Sequence, residues 1–325
     1  MNAEPITTQA PFLNLATAAT LTLNIRFGTS TWAYPGWRGI VYQAEYKNEA
    51  DFKKRCLSEY AACPLFRTVS LDSAFYRPPS ASVLSRYAEQ VPENFQWVAK
   101  VWERISIAIY PKHARYGAHA GQANPDFLNA DLFSDKVLAP CLQNGLRRHC
   151  GPFIFQFATF PPEYLKRNDF IARLSEFFSR LPKGFRYACE IRNPELLARP
   201  YFDVLNQHGV THCFNHWHIM PSLKFQMQQA ALAGGLKTDF FVARLLTPSG
   251  VKYEEAVTLF KPYDRIKQPN PEMRADAARL VRRALQKHGP SGATDAYILV
   301  NNRAEGNAPL TIDAILGLLV EQPSD

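Results

Sequence analysis

Several common signatures of cofactor binding are missing from this sequence. None of the six cysteines belongs to a C-x-x-C pair, so zinc-ribbon and thioredoxin-like proteins have no support. The first apolar run continues into GTSTWAYPGW, which has neither G-x-G-x-x-G nor a Walker lysine, and this disfavours dinucleotide and P-loop binding. No apolar run reaches the roughly eighteen residues of a membrane span. The sequence therefore implies no cofactor and predicts no membrane partner.

The amino-terminal stretch MNAEPITTQAPFLNLATAAT also lacks the features of a targeting signal. It contains no Lys or Arg and includes Glu4, whereas a secretory signal begins with basic residues. We therefore expect residues 1–24 to form a loose tail. Cys189 and Cys213 lie within apolar runs and are typical of buried thiols, which favours a reducing compartment and a cytoplasmic location.

The overall composition is that of a globular protein with a basic surplus. Hydrophobic residues make up 46% of the 325 residues and charged residues 20%, while the formal net charge is +8. A positive surplus favours anionic partners such as nucleic acid or phosphorylated metabolites. No run of five basic residues occurs, so charge alone does not choose between these partners.

Short apolar runs alternate with longer amphipathic segments throughout the chain. Eight runs have strand length and are rich in β-branched or aromatic residues. These are IRFGTS (25–30), FRTVSLD (66–72), FQWVAK (95–100), PFIFQF (152–157), RYACEI (186–191), VTHCFN (210–215), FFVARLL (240–246) and AYILVN (296–301). The intervening segments predict helices over 51–62, 80–90, 125–146, 163–182, 194–209, 221–235, 271–289 and 311–320. Pro140 is expected to kink or split the third of these.

Strands that alternate with helices predict a parallel sheet with the helices outside it. Eight such units in roughly 300 residues are typical of a (β/α)8 barrel. We therefore predict an α/β protein with a single TIM-like barrel domain over residues 25–325. The rival is an open doubly wound sheet, which would usually carry a glycine-rich loop after its first strand.

Polar and aromatic residues stand at the ends of all eight predicted strands. In a barrel, these carboxyl-terminal ends and the loops after them form the functional face. The residues are Ser30, Trp32, Asp72, Tyr76, Lys100, Gln156, Glu190, Arg192, Asn215, His216, Arg244, Asn301 and Asn302. Three cations and two carboxylates could neutralise one another as a structural network, or could leave surplus positive charge for an anionic ligand.

Six segments carry glycine, aromatic and polar motifs in a fixed order. They are GTSTWAYPGWRGIVY, LDSAFYRPPS, VPENFQWVAK, GPFIFQFATFPP, ACEIRNPELL and VNNRAEGNAP. From about residue 25 to 315 the chain resembles the YecE-like family, known as domain of unknown function 72. The resemblance implies a TIM-like barrel without an assigned activity. By position it assigns the family's polar residues to Asp72, Tyr76, Lys100, Gln156, Glu190, Arg192, Asn301 and Asn302.

The chain departs from the family pattern at several of these positions. Asp72 replaces the usual Glu, and ERISIAIY stands where a Thr-His pair commonly follows the third strand. The usual R-L-H-G after strand seven becomes RLLT, which keeps Arg244 but loses the His. The Trp that usually follows the E-x-R motif is missing too, because Glu195, Leu196 and Leu197 stand there. These changes predict a divergent member or one with an altered activity.

Four kinds of chemistry deserve comparison. A glycosidase needs two facing carboxyl groups, and only Asp72 and Glu190 qualify, from an atypical pair of strands. A Schiff base would need a lysine of lowered pKa, for which Lys100 is suitable, although an ion pair with a carboxylate is the simpler interpretation.

His212, His216 and His218 could hold a metal only if the strand continued, so we predict no metal site. Basic pairs at 147–148 and 282–283 support nucleic-acid binding, but solvated helix surfaces explain them equally.

The hypothesis favoured by the sequence is a barrel that binds a small anionic or phosphorylated ligand at its mouth. Lys100, Arg192 and Arg244 would hold the anion, and Asp72 or Glu190 with Lys100 would serve a hydrolase or lyase reaction. Hydrogen bonds to the ligand and walls for the cleft are expected from Gln156, Asn301, Asn302, Trp32, Tyr34 and Tyr76. The alternatives are a nuclease-like or nucleic-acid-binding protein and a non-catalytic scaffold. We expect a monomer or a weak homo-oligomer.

Overall fold

Parallel strands surround a common axis in the computed structural model, which describes residues 12, 14–143, 145–167, 169–286, 288–289 and 292–320. The strands are β1 Ile25–Thr29, β2 Thr68–Leu71, β3 Gln96–Lys100, β4 Cys150–Gln156, β5 Tyr187–Glu190, β6 Val210–His216, β7 Phe240–Leu245 and β8 Asp295–Val300. They are paired in parallel in the order β1-β8-β7-β6-β5-β4-β3-β2. The predicted (β/α)8 barrel is therefore confirmed.

The barrel closes where β1 approaches β2. The backbone N–H of Arg67, just before β2, donates to the carbonyl of Phe27 at 2.9 Å. Next to it, a Cβ atom on Gly28 would lie 2.1 Å from the carbonyl oxygen of Thr68. Only glycine lets the two backbones come so close, which gives a physical reason for Gly28 at this position.

Helices follow the strands and cover the outside of the barrel. They are α1 Leu15–Thr20, α2 Glu49–Ala62, α3 Ala81–Ala88, α4 Glu103–Ser106, α5 Ala130–Phe133, α6 Pro162–Arg167, α7 Phe170–Ser179, α8 Arg199–His208, α9 Leu223–Leu232, α10 Tyr253–Phe260, α11 Pro271–Gln286 and α12 Ala308–Val320. No helix in the described ranges is long and apolar enough to cross a membrane.

Three of the predicted helices differ from the structure. The segment 163–182 contains two helices, α6 and α7, because the Asp169 side chain accepts the N–H of Ala172 and starts a new helix there. The segment 125–146 is broken into α5, a π-helical turn over Ser134–Leu138 and a 3-10 turn at Pro140. Residues 194–196 form a separate 3-10 turn before α8.

Two apolar layers lie on opposite faces of the strands. The inner layer fills the barrel and consists of Val98, Ile154, Ala188, Cys213, Phe240, Val242, Tyr297 and Leu299. A much larger cluster between strands and helices contains most of the buried aromatic residues. Because side chains alternate along a strand, the six strands β3 to β8 contribute to both layers, whereas β1 and β2 contribute apolar residues to the outer layer.

The amino-terminal segment was predicted as a loose tail over 1–24, of which residues 1–11 and 13 lie outside the described residues. In the described remainder, α1 lies at the amino-terminal end of the barrel. The backbone N–H of Asn14 donates to Asp313 in α12 at 2.9 Å. The guanidinium of Arg67 donates to the carbonyls of Ala18, Leu21 and Thr22 at the end of α1, each at 2.9 Å.

Candidate functional site

Polar side chains at the barrel mouth continue the apolar layer of the interior. Lys100 stands two residues after the interior residue Val98, and Arg244 stands two residues after Val242. The same spacing relates the pairs Ile154 and Gln156, Ala188 and Glu190, and Leu299 and Asn301. A spacing of two keeps each side chain on the inner face of its strand, so the strands aim these polar groups at one place.

These residues surround a cavity of about 520 Å³ at the carboxyl-terminal end of the barrel. Its lining residues are Ser30, Thr31, Tyr34, Asp72, Ser73, Tyr76, Lys100, Gln156, Ala158, Thr159, Arg192, Trp217, His218, Arg244, Leu246, Tyr253, Asn301 and Arg303. A cavity of this volume is in the range that accommodates small molecules. Eight of the eleven predicted site residues are among those that line it.

Arg244 lies between two carboxylates beneath the cavity. Its Nη1 donates to Glu190 Oε2 and its Nη2 donates to Asp72 Oδ2, both at 2.7 Å. Asp72 also accepts a hydrogen bond of 2.6 Å from the hydroxyl of Ser70. The guanidinium of Arg192 binds the other oxygen of Glu190 and reaches Gln156 Oε1 at 3.4 Å. The carboxylates of Asp72 and Glu190 are thus both occupied by arginines.

This network fixes the charge of Glu190, whose side chain is fully buried. Burial alone would raise the pKa of this carboxyl, but Arg192 and Arg244 outweigh burial and lower the pKa to about 2. Burial would likewise lower the pKa of Arg244, yet Asp72 and Glu190 raise it instead. Glu190 is consequently a permanent anion that neutralises buried guanidinium groups, and a carboxylate so held is poorly suited to proton transfer.

Lys100 is a basic group of the site that has no carboxylate of its own. In the described chain its Nζ makes no ion pair within 4.0 Å, so the predicted ion pair with Asp72 or Glu190 does not form. The ammonium instead lies 3.8 Å from the ring centroid of Phe75. Burial, followed by the positive charge of Arg244, lowers the pKa of Lys100 to about 7. This amine is therefore partly unprotonated at neutral pH.

Several buried polar atoms around the cavity have no hydrogen-bond partner within the described chain. Three of them are the Nε atoms of Arg192 and Arg244 and the hydroxyl of Ser30. All three side chains line the cavity and are at least nine-tenths buried. Buried polar groups are normally paired, so their presence at one cavity indicates a place for acceptor atoms from outside the chain.

Aromatic rings and stacked arginines form the upper walls of the cavity. The guanidinium of Arg192 lies 4.1 Å from the ring centroid of Trp217, and that of Arg303 lies 4.4 Å from Tyr253. Tyr76 is 56% exposed and carries the guanidinium of Arg115 at 4.6 Å. The rings hold the cations in place while leaving the cavity open from above.

Trp32, Asn302 and Glu190 are the predicted site residues that do not line the cavity. Trp32 is buried and packs edge-on against Tyr87, with 5.0 Å between the ring centroids. The side-chain oxygen of Asn302 accepts hydrogen bonds from Trp37 Nε1 at 3.2 Å and from the backbone N–H of Ala308 at 2.9 Å. Asn302 thereby connects the first loop to the start of α12.

The three histidines considered as metal ligands do not share one environment. His212 faces the helices, where its ring nitrogens contact Tyr201 at 2.9 Å and Gln226 at 3.1 Å. Burial lowers the pKa of His212 to about 4. Of the three, His218 lines the cavity. Across the described ranges, no group of three His, Cys, Asp or Glu residues is arranged to hold a metal ion.

Sequence reasoning did not select several of the cavity residues. Ser30 was predicted to end a strand but not to contact the ligand. Trp217, Tyr253 and Arg303 were predicted in neither role. Trp217 follows β6 directly and Arg303 follows Asn302, so the rule that loops after strands carry function could have found both. Tyr253 begins α10, a helix for which no pattern was recognised.

The fold and site define a (β/α)8 barrel with a polar cavity of ligand size at its carboxyl-terminal end. The chain belongs to the DUF72 family, whose model, described as a protein of unknown function, matches residues 26–325. This confirms the resemblance seen in the motifs. No curated protein matches the chain in sequence.

Solved structures of the same family share the fold. A DUF72 family protein from Enterococcus faecalis is 17% identical, with a TM-score of 0.54, covering 92% of this chain and 98% of that one. Another from Thermotoga maritima is 18% identical, with a TM-score of 0.57 and coverage of 91% and 99%.

Proposed function

We propose that this protein binds a small anionic or phosphorylated ligand in the cavity at the barrel mouth. The observation that carries the proposal is the set of donors left without acceptors: the Lys100 amine, the Nε–H groups of Arg192 and Arg244, and the Ser30 hydroxyl. A ligand rich in oxygen acceptors would satisfy these groups and supply the missing counter-charge.

The balance of charge supports the same choice. Four basic side chains, Lys100, Arg192, Arg244 and Arg303, line the cavity among the described residues, and Asp72 is the carboxylate beside them. Counting Glu190 below the cavity still leaves more cations than anions. An anionic ligand would remove this imbalance, whereas a cation would increase it.

We assign distinct roles to the cavity residues. Lys100, Arg192 and Arg244 contact the anion, Gln156 and Asn301 hydrogen-bond to it, and Glu190 holds the two guanidinium groups in place. If the ligand reacts, we assign the proton transfers of a hydrolase or lyase to Lys100 and Asp72, since Glu190 is locked between two guanidinium groups. Tyr34 and Tyr76 form walls of the cleft.

Sulfate binding tests the proposal directly, because sulfate is a dianion that does not titrate near neutral pH. Thermal shift and calorimetry should show binding to the wild type and to Lys53→Met, which alters an exposed lysine, but much weaker binding to Lys100→Met. A bound dianion raises the pKa of Lys100, so the sulfate affinity should fall by up to about tenfold per pH unit above pH 7. Equal binding by all three proteins would overturn the proposal.

Nucleic-acid binding is the second candidate, and it rests on the net charge of +8. The basic pairs that suggested it are partly engaged elsewhere: Arg147 lies 4.8 Å from the Phe185 ring and Arg148 pairs with Glu93 at 3.1 Å. Oligonucleotides included in the same binding experiments would favour this candidate if their affinity falls steeply with salt and does not depend on Lys100. The non-catalytic scaffold predicts no ligand in any of these experiments.

We further propose that residues 25–325 act as a single barrel domain, as a monomer or weak homo-oligomer, in the cytoplasm. All six cysteines are free in the structure, which fits a reducing compartment.

A further inference from the structure

We infer that Lys100 forms an imine with a small aldehyde or ketone that carries a phosphate or carboxylate group. The inference rests on the anion site proposed above and adds a covalent step to it. It follows from the position of the amine in the cavity, from the way its neighbours are paired, and from the unpaired donors beside it.

The amine of Lys100 is placed as a nucleophile should be. Its side chain ends β3, lines the cavity and is only partly exposed, with Nζ 3.8 Å from the ring centroid of Phe75. Among the described residues no acceptor or carboxylate binds this nitrogen. Its lone pair, once the proton has left, is therefore not engaged by the protein and faces the space that a ligand would occupy.

The neighbouring carboxylates cannot easily hold Lys100 in its protonated form. Asp72 accepts from Ser70 and Arg244, while Glu190 accepts from Arg192 and Arg244. Each carboxylate thus already has a guanidinium partner, and those guanidinium groups repel the ammonium. Burial and this repulsion together lower the pKa of Lys100 to about 7, which supplies neutral amine at physiological pH.

The covalent step needs no reagent beyond the carbonyl compound. The neutral Nζ attacks the carbonyl carbon, and the carbonyl oxygen takes up a proton to give a carbinolamine. One N–H proton passes to solvent or to Asp72, and a second proton from solvent allows the carbinolamine oxygen to leave as water. The iminium that forms then loses its last N–H proton to solvent or to Asp72, which leaves the imine. Asp72 lines the same cavity and its side chain is 26% exposed, so it can exchange protons with both ligand and solvent.

The anionic part of the ligand follows from the donors around the amine. The Nε–H of Arg192 and the hydroxyl of Ser30 are buried, unpaired within the described chain, and belong to side chains that line the same cavity. A phosphate or carboxylate on the carbonyl compound would accept from them while the carbonyl carbon lies against Lys100. The cavity of about 520 Å³ holds such a molecule without rearrangement of the barrel.

Borohydride trapping with pyridoxal phosphate and with pyridoxal as probes tests the inference. Pyridoxal lacks the phosphate but also closes to an internal hemiacetal, so the ratio of the two rates at exposed lysines serves as the reference. Reduction converts any imine into a stable secondary amine that peptide mass mapping locates. At pH 7 about half of an amine with a pKa near 7 is neutral, against less than about one in a thousand for an ordinary lysine. Lys100 should be modified at least tenfold faster than the exposed Lys53 and Lys136, and faster by pyridoxal phosphate than by pyridoxal.

The possible outcomes separate this inference from the proposed anion site. Rapid modification of Lys100 that inorganic phosphate suppresses supports both. Modification of Lys100 no faster than that of Lys53 or Lys136, in a protein that still binds sulfate, overturns the imine and leaves the anion site standing. A preference for pyridoxal phosphate over pyridoxal at Lys100 that is no larger than at Lys53 and Lys136 overturns the anionic part of the inference. Failure of both sulfate binding and trapping overturns both. The mapping uses the wild-type chain, so it does not depend on a variant folding.

Discussion

Lys100 and Glu190 differ in their charged partners: Glu190 is paired with two arginines, whereas Lys100 has no carboxylate partner among the described residues. Glu190 is fully buried between the guanidinium groups of Arg192 and Arg244, which keep it ionised. Lys100 lies in the same region without a carboxylate partner, and its pKa is lowered to about 7. A buried ion that is paired on both sides supports the fold, whereas an unpaired one costs stability and is typical of a binding or reactive group.

Replacement of Lys100 by Met should therefore stabilise the protein at neutral pH. The pKa of Lys100 lies below the ordinary lysine value of 10.5. Between about pH 7 and 10.5 the unfolded chain therefore binds more protons than the folded one, and the stability contributed by this residue rises with pH. Below pH 7 the cost of the buried charge is present in full. We expect Lys100→Met to gain on the order of 1 kcal/mol at pH 6–7 and a smaller amount at pH 9. Urea unfolding at several pH values measures this.

Lys53→Met is the matched control, because Lys53 is an exposed lysine with a surface partner, Glu49. It should change the free energy of unfolding by less than about 0.5 kcal/mol at every pH. If Lys100→Met destabilised the protein at pH 7, Lys100 would be a structural cation and the explanation given for its lowered pKa would be wrong.

Glu190→Gln should be strongly destabilising, since the amide keeps the size of the side chain but leaves two buried guanidinium groups without their shared anion. Loss of one partner from a buried ion network typically costs about 3–5 kcal/mol. Chemical denaturation of this variant beside Glu163→Gln, an exposed change, isolates the effect. Normal stability of Glu190→Gln would mean that Glu190 is not the counter-ion of the arginines, and its role in proton transfer would return to consideration.

The sequence predicted which charged side chains lie together at the barrel mouth, but not which cation pairs with which carboxylate. The spacing of two between Val98 and Lys100, or between Val242 and Arg244, follows from the alternation of a strand and predicts a shared inner face. It does not say which cation takes which carboxylate, because Asp72 and Glu190 lie near three basic groups and the choice depends on distances of a few ångströms. Trp32 was predicted in the cleft because it lies in the aromatic loop after the first strand, yet its ring packs against Tyr87.

The sequence predicted the strands of the barrel more accurately than the ends of the helices. All eight strands face the apolar layer beneath the helices, and β3 to β8 also face the apolar interior, so their composition identifies them. Helix ends depend on single side chains, and the cap at Asp169 divides a segment that the apolar periodicity presents as one helix. The short α10 gave no recognised pattern, although Glu254 and Glu255 lie in its first turn as the helix dipole favours.

The contact between β1 and β2 allows a test of barrel closure. In Gly28→Ala the new Cβ would lie 2.1 Å from the Thr68 carbonyl oxygen, so the strands must separate and lose hydrogen bonds. We expect a loss of more than about 3 kcal/mol, beyond the ordinary range for overpacking. Gly39→Ala is the matched control, because its Cβ meets nothing within 4 Å and the cost arises only from a φ of +74°, about 1–2 kcal/mol. Equal losses in urea unfolding would show that the close approach at Gly28 is not limiting.

At the scale of the whole molecule, the first and last described helices, α1 and α12, pack together toward the end of the barrel opposite the cavity. Asn14 binds Asp313 of α12, and Arg67 at the start of β2 donates to carbonyls at the end of α1. The cavity is formed at the other end of the strands, so stability and ligand binding are served by opposite faces, as is usual in this fold. Changes near α1 should therefore alter the free energy of unfolding without altering sulfate affinity.

A double-mutant cycle between Arg67 and the amino-terminal segment tests this division. Arg67→Met in the full-length chain removes several charge-assisted hydrogen bonds to carbonyls of α1, and we expect a loss of about 1–3 kcal/mol. A chain that begins at residue 24 lacks the carbonyls of Ala18, Leu21 and Thr22 and keeps only neighbours in β1. Arg67→Met should therefore lower the free energy of unfolding much less in that chain. The effects of the truncation and of the substitution should be strongly non-additive. Additive losses would mean that Arg67 stabilises the barrel independently of α1. A fall in sulfate affinity in the truncated chain would show that the two faces are coupled, because the contacts removed there lie on the face opposite Lys100.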